Sequence, residues 1–377
     1  MKPKLDFADR VLRELKKENL YRQLRYSVVK GPNIAIGTKK LLNFCSNDYL
    51  GLPGAKITPR QFQSSSRLVS GNDSSFMKLE KKLAAHKSQQ TALVFPTGYM
   101  ANLGAIPTLA KKGDVILSDE LNHSSIIEAC RLCDAKTLVY KHNDMDDLAK
   151  KLQVYKKAAK FIATEGIFSM DGDLAELRQI SELSEKNNAV LILDDAHGDF
   201  TVGTDGKGTA SYCGVEKKID VYISSLSKGL GSFGGYVASK NSVVDLCINK
   251  ARSFIYTSAL PSLLVDMILQ RLSQDREKRR KKLEGNVLRL SDGLAQIGYD
   301  IRSKTHIIPI IIGNEKKSLQ FGRFLYDHGV FAQPIRYPTV AKNSARLRVS
   351  VTAWLEKTHI DYALDIFEKA GKKFKIL

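Results

Sequence analysis

Short apolar runs alternate with helical segments along much of this 377-residue chain. From about residue 73 onward the apolar runs are TALVF, DVILSD, KTLVYK, KFIATE, AVLILDD, DVYISSL and GGYVASK. Short apolar runs separated by helices predict crossover units and a mostly parallel sheet that is covered on both faces. We therefore expect an α/β fold that binds its ligands beyond the carboxyl ends of the strands.

The sequence pattern predicts three segments along the chain. Residues 1–45 are expected to form an N-terminal helix and an extended segment, residues 46–270 a large domain, and residues 271–377 a small α+β domain. The hydrophobic content of 43% is enough for a large core and more than one domain.

Charge and cysteine content narrow the classes of function. The formal net charge is +19, but the lysines are scattered along helical runs such as KKLAAHK and REKRRKKLE. A scattered excess is typical of a solvated surface, so we expect no nucleic-acid partner.

No apolar run approaches the length of a membrane span, and no membrane association is expected. The five cysteines have no disulfide-framework spacing, and Cys130-x-x-Cys133 has no second pair for zinc, which fits reduced thiols in a cytoplasmic protein.

Polar residues follow three of the apolar runs at the point where each run ends. KFIATE leads into GIFSMDGD, AVLILDD into AHGDF, and DVYISSL into SKGLGSFGG. Asp194, Asp195 and His197 end a buried strand, where carboxylates are unfavourable unless a cation meets them. A metal site is one alternative, but no HExxH or similar spacing accompanies them. A protonated pyridine nitrogen would suit Asp194.

Lys228 lies among small residues in SSLSKGLGSFGG. A lysine held in a cleft can form a Schiff base, and Ser225 before it could donate a hydrogen bond to a phosphate. The alternative is a surface lysine in a glycine-rich loop. Gly229-x-Gly231-x-x-Gly234 matches a dinucleotide fingerprint, but it leads into a strand-like run instead of a helix, which argues against that function.

Two further segments predict helix starts that follow strands. Pro96-Thr97-Gly98-Tyr99 ends TALVF and opens a helix, and the N–H groups of such a start favour an anion. Ordinary capping by Thr97 is an equally good interpretation of this segment. His123, in DELNHSSII, is either a structural histidine or an aromatic face for a planar cofactor.

Taken in order, nine strings resemble the α-oxoamine synthases, a branch of the fold-type-I, aspartate-aminotransferase-like enzymes that use pyridoxal 5'-phosphate (PLP). The similarity extends from Leu20 to about Thr352. The strings are NFCSNDYLGL, SSRLVSGN, PTGYMAN, LNHSSIIEA, TEGIFSMDGD, DDAHGDF, SSLSKGLG, IYTSALP and ARLRVSVT. The resemblance implies a large PLP domain with a mostly parallel sheet, a smaller α+β domain and a homodimer with shared active sites.

The resemblance also implies a site. Its catalytic residues are Lys228, His123, Asp194 and His197. Its cofactor-binding residues are Gly98, Tyr99, His123, Glu165, Ser169, Asp194, His197, Ser225, Lys228 and, from the neighbouring subunit, Ser258. Its substrate-binding residues are Arg22, Asn47, His123, Thr339 and Arg348. No metal is implied.

The roles that the resemblance implies are specific. Lys228 would bind PLP covalently and remove the Cα proton, Asp194 would pair with the pyridinium, and His197 with the ring oxygen. His123 would stack on the ring, and Arg348 would bind the carboxylate of the amino acid.

Within the family, SSRLVSGN is most similar to the corresponding string in the enzymes that join L-alanine to a pimeloyl thioester in biotin synthesis. The carrier of that thioester is coenzyme A or an acyl carrier protein. Alternatives are glycine C-acetyltransferase, a serine palmitoyltransferase-like enzyme, or a non-catalytic basic binding protein on this scaffold. The stretch Gln61-Phe62-Gln63-Ser64-Ser65 departs from the glycine-rich sequence usual in the family and leaves the acyl donor open.

Overall fold

A computed structural model describes residues 6–55, 64–155 and 157–377. The stretch before Ser65 that departs from the family pattern lies partly outside these residues, because 61–63 are not among them.

The helices and strands follow the alternation seen in the sequence. The helices are α1 (Asp6–Lys17), α2 (Ser74–His86), α3 (Gly98–Leu109), α4 (Ser124–Arg131), α5 (Met145–Val154), α6 (Leu177–Lys186), α7 (Thr209–Cys213), α8 (Asn241–Lys250), α9 (Arg252–Ile255), α10 (Ser262–Leu272), α11 (Glu277–Ile297), α12 (Glu315–Asp327) and α13 (Lys357–Phe374). The strands are β1 (Ser27–Lys30), β2 (Asn33–Ile36), β3 (Lys39–Asn43), β4 (Thr91–Phe95), β5 (Val115–Asp119), β6 (Lys136–Tyr140), β7 (Lys160–Glu165), β8 (Val190–Asp194), β9 (Val221–Ser225), β10 (Gly235–Ser239), β11 (Ile307–Gly313), β12 (Val330–Phe331), β13 (Gln333–Ile335) and β14 (Ala345–Ser350).

The chain divides into two compact units. The first comprises Met1–Ser46, Met170–Gly172 and Lys282–Leu377, and the second comprises Asn47–Ser169 and Asp173–Lys281. The N-terminal and C-terminal segments thus belong to one unit, while the boundaries at 45/46 and 270/271 stay a prediction.

The second unit contains a seven-stranded sheet in the order β4-β10-β9-β8-β7-β5-β6. Strands β9, β8, β7, β5 and β6 run parallel, and β10 is antiparallel to both of its neighbours. Every residue of β5, β7, β9 and β10 is buried, as expected for a sheet with apolar strands covered on both faces. The predicted mostly parallel sheet is confirmed.

The register of this sheet brings the ends of its central strands to one edge. Glu165, the last residue of β7, pairs with Asp194, the last residue of β8, and Asp194 pairs with Ile223 of β9. Because parallel strands end at the same edge, the polar loops that follow them meet there.

The first unit is α+β. It contains the sheet β1-β2-β3-β12 and the antiparallel sheet β11-β14-β13. Strand β14 is fully buried at the centre of the second sheet, and α13 contributes buried residues from Ile360 to Gly371. Among the described helices, none has the length and apolar content needed to cross a bilayer.

Candidate active site

The N-terminus of α3 lies against the end of β9. Thr97 caps the helix, because its hydroxyl accepts a hydrogen bond from the N–H of Met100 at 3.1 Å. A Cβ on Gly98 would lie 3.1 Å from Cβ of Ser225, so this start of α3 has little room for a larger residue. The Ser225 hydroxyl is within 2.8 Å of the Ser227 hydroxyl. The site therefore combines helix N–H groups with serine hydroxyls, a donor set suited to an anion.

Lys228 contacts His197 across the same edge. Nζ of Lys228 is 2.9 Å from Nε2 of His197, and Nδ1 of His197 is 2.7 Å from the hydroxyl of Tyr49. The Tyr49 hydroxyl donates to Oδ1 of Asn47 at 3.0 Å, so its oxygen accepts the hydrogen bond from Nδ1–H of His197. This arrangement places the proton of a neutral His197 on Nδ1 and leaves Nε2 to accept from Lys228.

The Asp194 carboxylate is held by two N–H donors. Oδ2 accepts a hydrogen bond of 2.6 Å from Nδ2 of Asn102, and Oδ1 accepts one of 3.0 Å from the backbone N–H of Ala196. Asn102 lies on α3, so the helix that presents its N-terminus to the site also orients this carboxylate.

Glu165 and His123 are joined through the backbone. Oε1 of Glu165 accepts a hydrogen bond of 2.6 Å from the N–H of His123, which caps α4. Burial, reinforced by the negative charge of Asp194, raises the pKa of Glu165 to about 8. Glu165 therefore takes up a proton more readily than an exposed glutamate.

A buried charge network fixes the loop that follows β8. Nζ of Lys87 lies 3.1 Å from Oδ2 of Asp195 and 2.7 Å from Oδ1 of Asp199, and all three side chains are almost fully buried. Burial disfavours the Lys87 ammonium, but Asp199 and Asp195 outweigh it and raise its pKa. Asp199 also accepts from Ser224 and Tyr236, at 2.8 and 2.5 Å. Because His197 lies in this loop and Asp194 directly precedes it, the network holds the backbone of both residues in place.

The remaining predicted residues fall in both units. In the second unit, Ser169 is buried in the loop after β7, Tyr99 stands edge-on to His123 with 6.3 Å between ring centroids, and Ser258 is exposed after α9. In the first unit, Nη2 of Arg22 donates to the hydroxyl of Thr339 at 3.2 Å.

Arg348 lies on the central strand β14 of the first unit. It is buried, and its Nη1 donates to the Ser350 hydroxyl at 2.8 Å.

Sequence reasoning missed four residues that hold the site together, namely Tyr49, Lys87, Asn102 and Ser125, whose hydroxyl lies 2.8 Å from Nδ1 of His123. Three of them lie within the strings NFCSNDYLGL, PTGYMAN and LNHSSIIEA, so closer attention to polar residues inside those strings could have identified them. Lys87 lies at the end of a lysine-rich helix, where nothing in the pattern distinguishes it from exposed lysines.

Comparison with known proteins agrees with this geometry. A family model described as aminotransferase class I and II matches residues 39–367. An 8-amino-7-oxononanoate synthase from Thermoanaerobacter pseudethanolicus is 40% identical over 99% of this chain and 98% of its own length. One from Thermosipho melanesiensis is 39% identical over 97% of both chains. A serine palmitoyltransferase from S. paucimobilis, solved with a PLP–myriocin aldimine bound, superposes with a TM-score of 0.91 over 99% of both chains at 26% identity.

Proposed function

The chain belongs to the aminotransferase class I and II family, and from this premise we propose that it is a PLP-dependent acyltransferase, an 8-amino-7-oxononanoate synthase of the α-oxoamine synthase branch. It condenses L-alanine with a pimeloyl thioester and releases 8-amino-7-oxononanoate, carbon dioxide and the free thiol. The observation that carries the proposal is the meeting of Lys228, Asp194 and His197 at one edge of the sheet, in a chain that matches such synthases over nearly its whole length.

The residues at this edge fit PLP in charge and shape. The N-terminus of α3 and the Ser225 hydroxyl suit its phosphate, and the close approach of Gly98 to Ser225 leaves little room for a side chain at position 98. The Asp194 carboxylate, held by Asn102, suits a protonated pyridine nitrogen. Lys228 supplies the amine that bonds to the cofactor.

The chemistry divides between the cofactor and the chain. When bound, PLP supplies an electron sink for the negative charge that forms at Cα of alanine. Asp194 keeps the pyridine nitrogen protonated, which strengthens that withdrawal. Lys228 takes the Cα proton on Nζ, and His197, whose Nε2 lies 2.9 Å from Nζ, would pair with the ring oxygen of the bound cofactor. Arg348 binds the alanine carboxylate with its planar guanidinium.

Two observations bear on the choice of substrates within the branch. The fold superposes closely on a serine palmitoyltransferase, but at only 26% identity. The 8-amino-7-oxononanoate synthases reach 40% identity over the same span. Because fold is shared throughout such families while specificity depends on side chains, the higher identity favours alanine and a pimeloyl chain.

The proposal extends to partners and location. A homodimer would complete each site with Ser258 of the partner subunit, and the exposure of Ser258 supports such a contact. The net charge of +19 suits the phosphates of coenzyme A or an acidic acyl carrier protein. The five cysteines are free thiols, which suits the cytoplasm.

The covalent bond to Lys228 provides the test. Purified protein should absorb visible light, and borohydride reduction followed by peptide mass spectrometry should find the cofactor mass on Lys228. Lys228→Ala should lose both the covalent cofactor and turnover, whereas the exposed Lys240→Ala should keep both. A protein that stays colourless and inactive with added PLP would refute the proposal, as would attachment to a different lysine.

A further inference from the structure

A chain of hydrogen bonds connects the Asp194 carboxylate to the ring of His123. Nδ2 of Asn102 donates one N–H to Oδ2 of Asp194 at 2.6 Å and the other to Oγ of Ser125 at 2.9 Å. Oγ of Ser125 lies 2.8 Å from Nδ1 of His123. Asn102 and Ser125 are each only 1% exposed, so water does not compete for these bonds.

The donors and acceptors allow only one direction along this chain. The amide of Asn102 must present its N–H groups to Asp194, because its carbonyl oxygen would repel a carboxylate. The Ser125 oxygen therefore accepts from Asn102, and its single hydrogen is free to point at Nδ1 of His123. The backbone N–H of Ser125, which can only donate, also points at Nδ1 at 3.2 Å.

Two donors directed at Nδ1 determine the protonation of His123. A proton on Nδ1 would face the backbone N–H of Ser125, which can only donate, whereas an unprotonated Nδ1 accepts from both this N–H and the Ser125 hydroxyl. Nδ1 must therefore be the unprotonated nitrogen, and the ring proton must be on Nε2.

The surrounding charges agree with a neutral ring. Burial lowers the pKa of His123, Asp194 raises it, and Lys228 lowers it, with a net decrease. Glu165 meets only the backbone N–H of His123, and Tyr99 stands edge-on to the ring.

We infer that Asn102 and Ser125 are positioning residues that link Asp194 to His123 and hold His123 neutral with its proton on Nε2. The significance of this arrangement rests on the proposed function. A neutral ring can stack on a cofactor without placing a second positive charge beside the pyridinium that Asp194 stabilises. The same helix that orients Asp194 would thus set the state of the stacking residue, although Asn102 and Ser125 need touch no substrate.

Histidine nitrogen NMR tests the inference without relying on turnover. Full-length protein labelled with ¹⁵N at histidine is measured as purified and after removal of any cofactor, and the His123 signals are assigned by their loss in His123→Gln. In the wild type at neutral pH, Nδ1 should show the shift of an unprotonated acceptor and Nε2 that of a protonated nitrogen. A protonated ring, or a proton on Nδ1, would overturn the inference.

Variants then test each link of the chain. Ser125→Ala removes the hydroxyl donor and should raise the pKa of His123 by about 0.5–1 unit, the effect of losing one hydrogen bond. Asn102→Ala should shift it in the same direction by less, because Asn102 does not touch the ring. Ser124→Ala, the exposed neighbour on α4, should leave it unchanged.

An unaltered pKa in Ser125→Ala would remove Ser125 from the role, and an unaltered pKa in a folded Asn102→Ala protein would break the link to Asp194. These outcomes are independent of whether the protein binds PLP or condenses alanine, so failure of the proposed function would be recognised separately.

Discussion

Asp194 carries the most specific expectation for a single side chain. Its carboxylate is fixed by Asn102 and by the N–H of Ala196, and its proposed role is to keep the pyridine nitrogen protonated. Asp194→Asn preserves the shape but removes the charge and replaces one accepting oxygen with an NH2 group, so kcat/KM should fall at least about 100-fold while the chain still folds. Asp146→Asn, at an exposed position on α5, is the matched control and should behave like the wild type. A loss of less than about tenfold, or about 1.4 kcal/mol, would show that Asp194 does not have this role.

Individual side chains also show where sequence reasoning reached its limit. The strand-end residues Asp194, His197 and Lys228 could be predicted, because an apolar run followed by polar residues identifies the binding edge without tertiary contacts. The contacts of Tyr49 with His197 and of Lys87 with Asp195 could not, because the partners lie 148 and 108 residues away in the chain. Nothing local distinguishes a lysine that will meet two buried aspartates from one that stays in solvent.

At the level of elements, His142 connects the loops that follow three strands. Its Nδ1 is 2.9 Å from Asp119 at the end of β5, and its Nε2 is 2.6 Å from Asp173 in the loop after β7. Burial works against the charged ring, but the hydrogen bonds to Asp119 and Asp173 outweigh it and raise the pKa of His142 to about 10. The ring also packs edge-on against Phe168 in the same loop as Ser169, so the charged histidine ties this loop to the sheet.

This pKa predicts a pH dependence of stability with a defined sign. The folded protein binds the His142 proton up to about pH 10, whereas the unfolded chain releases it near 6.5. The contribution of His142 to the free energy of unfolding is complete below pH 6.5 and is lost as the pH rises through about 10. Between pH 7 and 9, His142 should make the unfolding free energy of the wild type fall by about 1.4 kcal/mol per pH unit. His142→Asn should lack this part of the decline. Chemical denaturation at several pH values measures this slope, with the exposed His328→Asn as control. Equal slopes in His142→Asn and wild type would contradict the assignment.

The elements themselves were predicted well because hydrophobic periodicity is a local property. The seven apolar runs became β4 to β10, and the helix starts at Gly98 and after His123 were found. The antiparallel pairing of β10 with β4 and β9 could not be derived, because an apolar run has the same pattern in either direction.

At the scale of the whole molecule, the proposed homodimer predicts complementation between inactive chains. Ser258 is exposed and its neighbour Tyr256 is 77% exposed, as expected of residues that a partner subunit covers. Lys228→Ala and Ser258→Asp chains should each be inactive alone. If each site takes Lys228 from one subunit and Ser258 from the other, hybrid dimers regain one site in two. An equal mixture should recover about a quarter of the wild-type activity. No recovery after subunit exchange verified by mass spectrometry would mean that each chain builds its site alone.

The most direct measurement of the central claim is a substrate matrix. Purified protein is offered L-alanine, glycine or L-serine, each with acetyl, pimeloyl and palmitoyl thioesters on coenzyme A, and with pimeloyl on an acyl carrier protein. Carbon dioxide and aminoketone are quantified for every pair. We predict the highest kcat/KM for alanine with a pimeloyl thioester, with glycine poorer by about 10- to 200-fold because one methyl group is worth only about 1–3 kcal/mol in a pocket. A clear preference for glycine or serine, or for palmitoyl over pimeloyl, would contradict the proposed function and leave only the family.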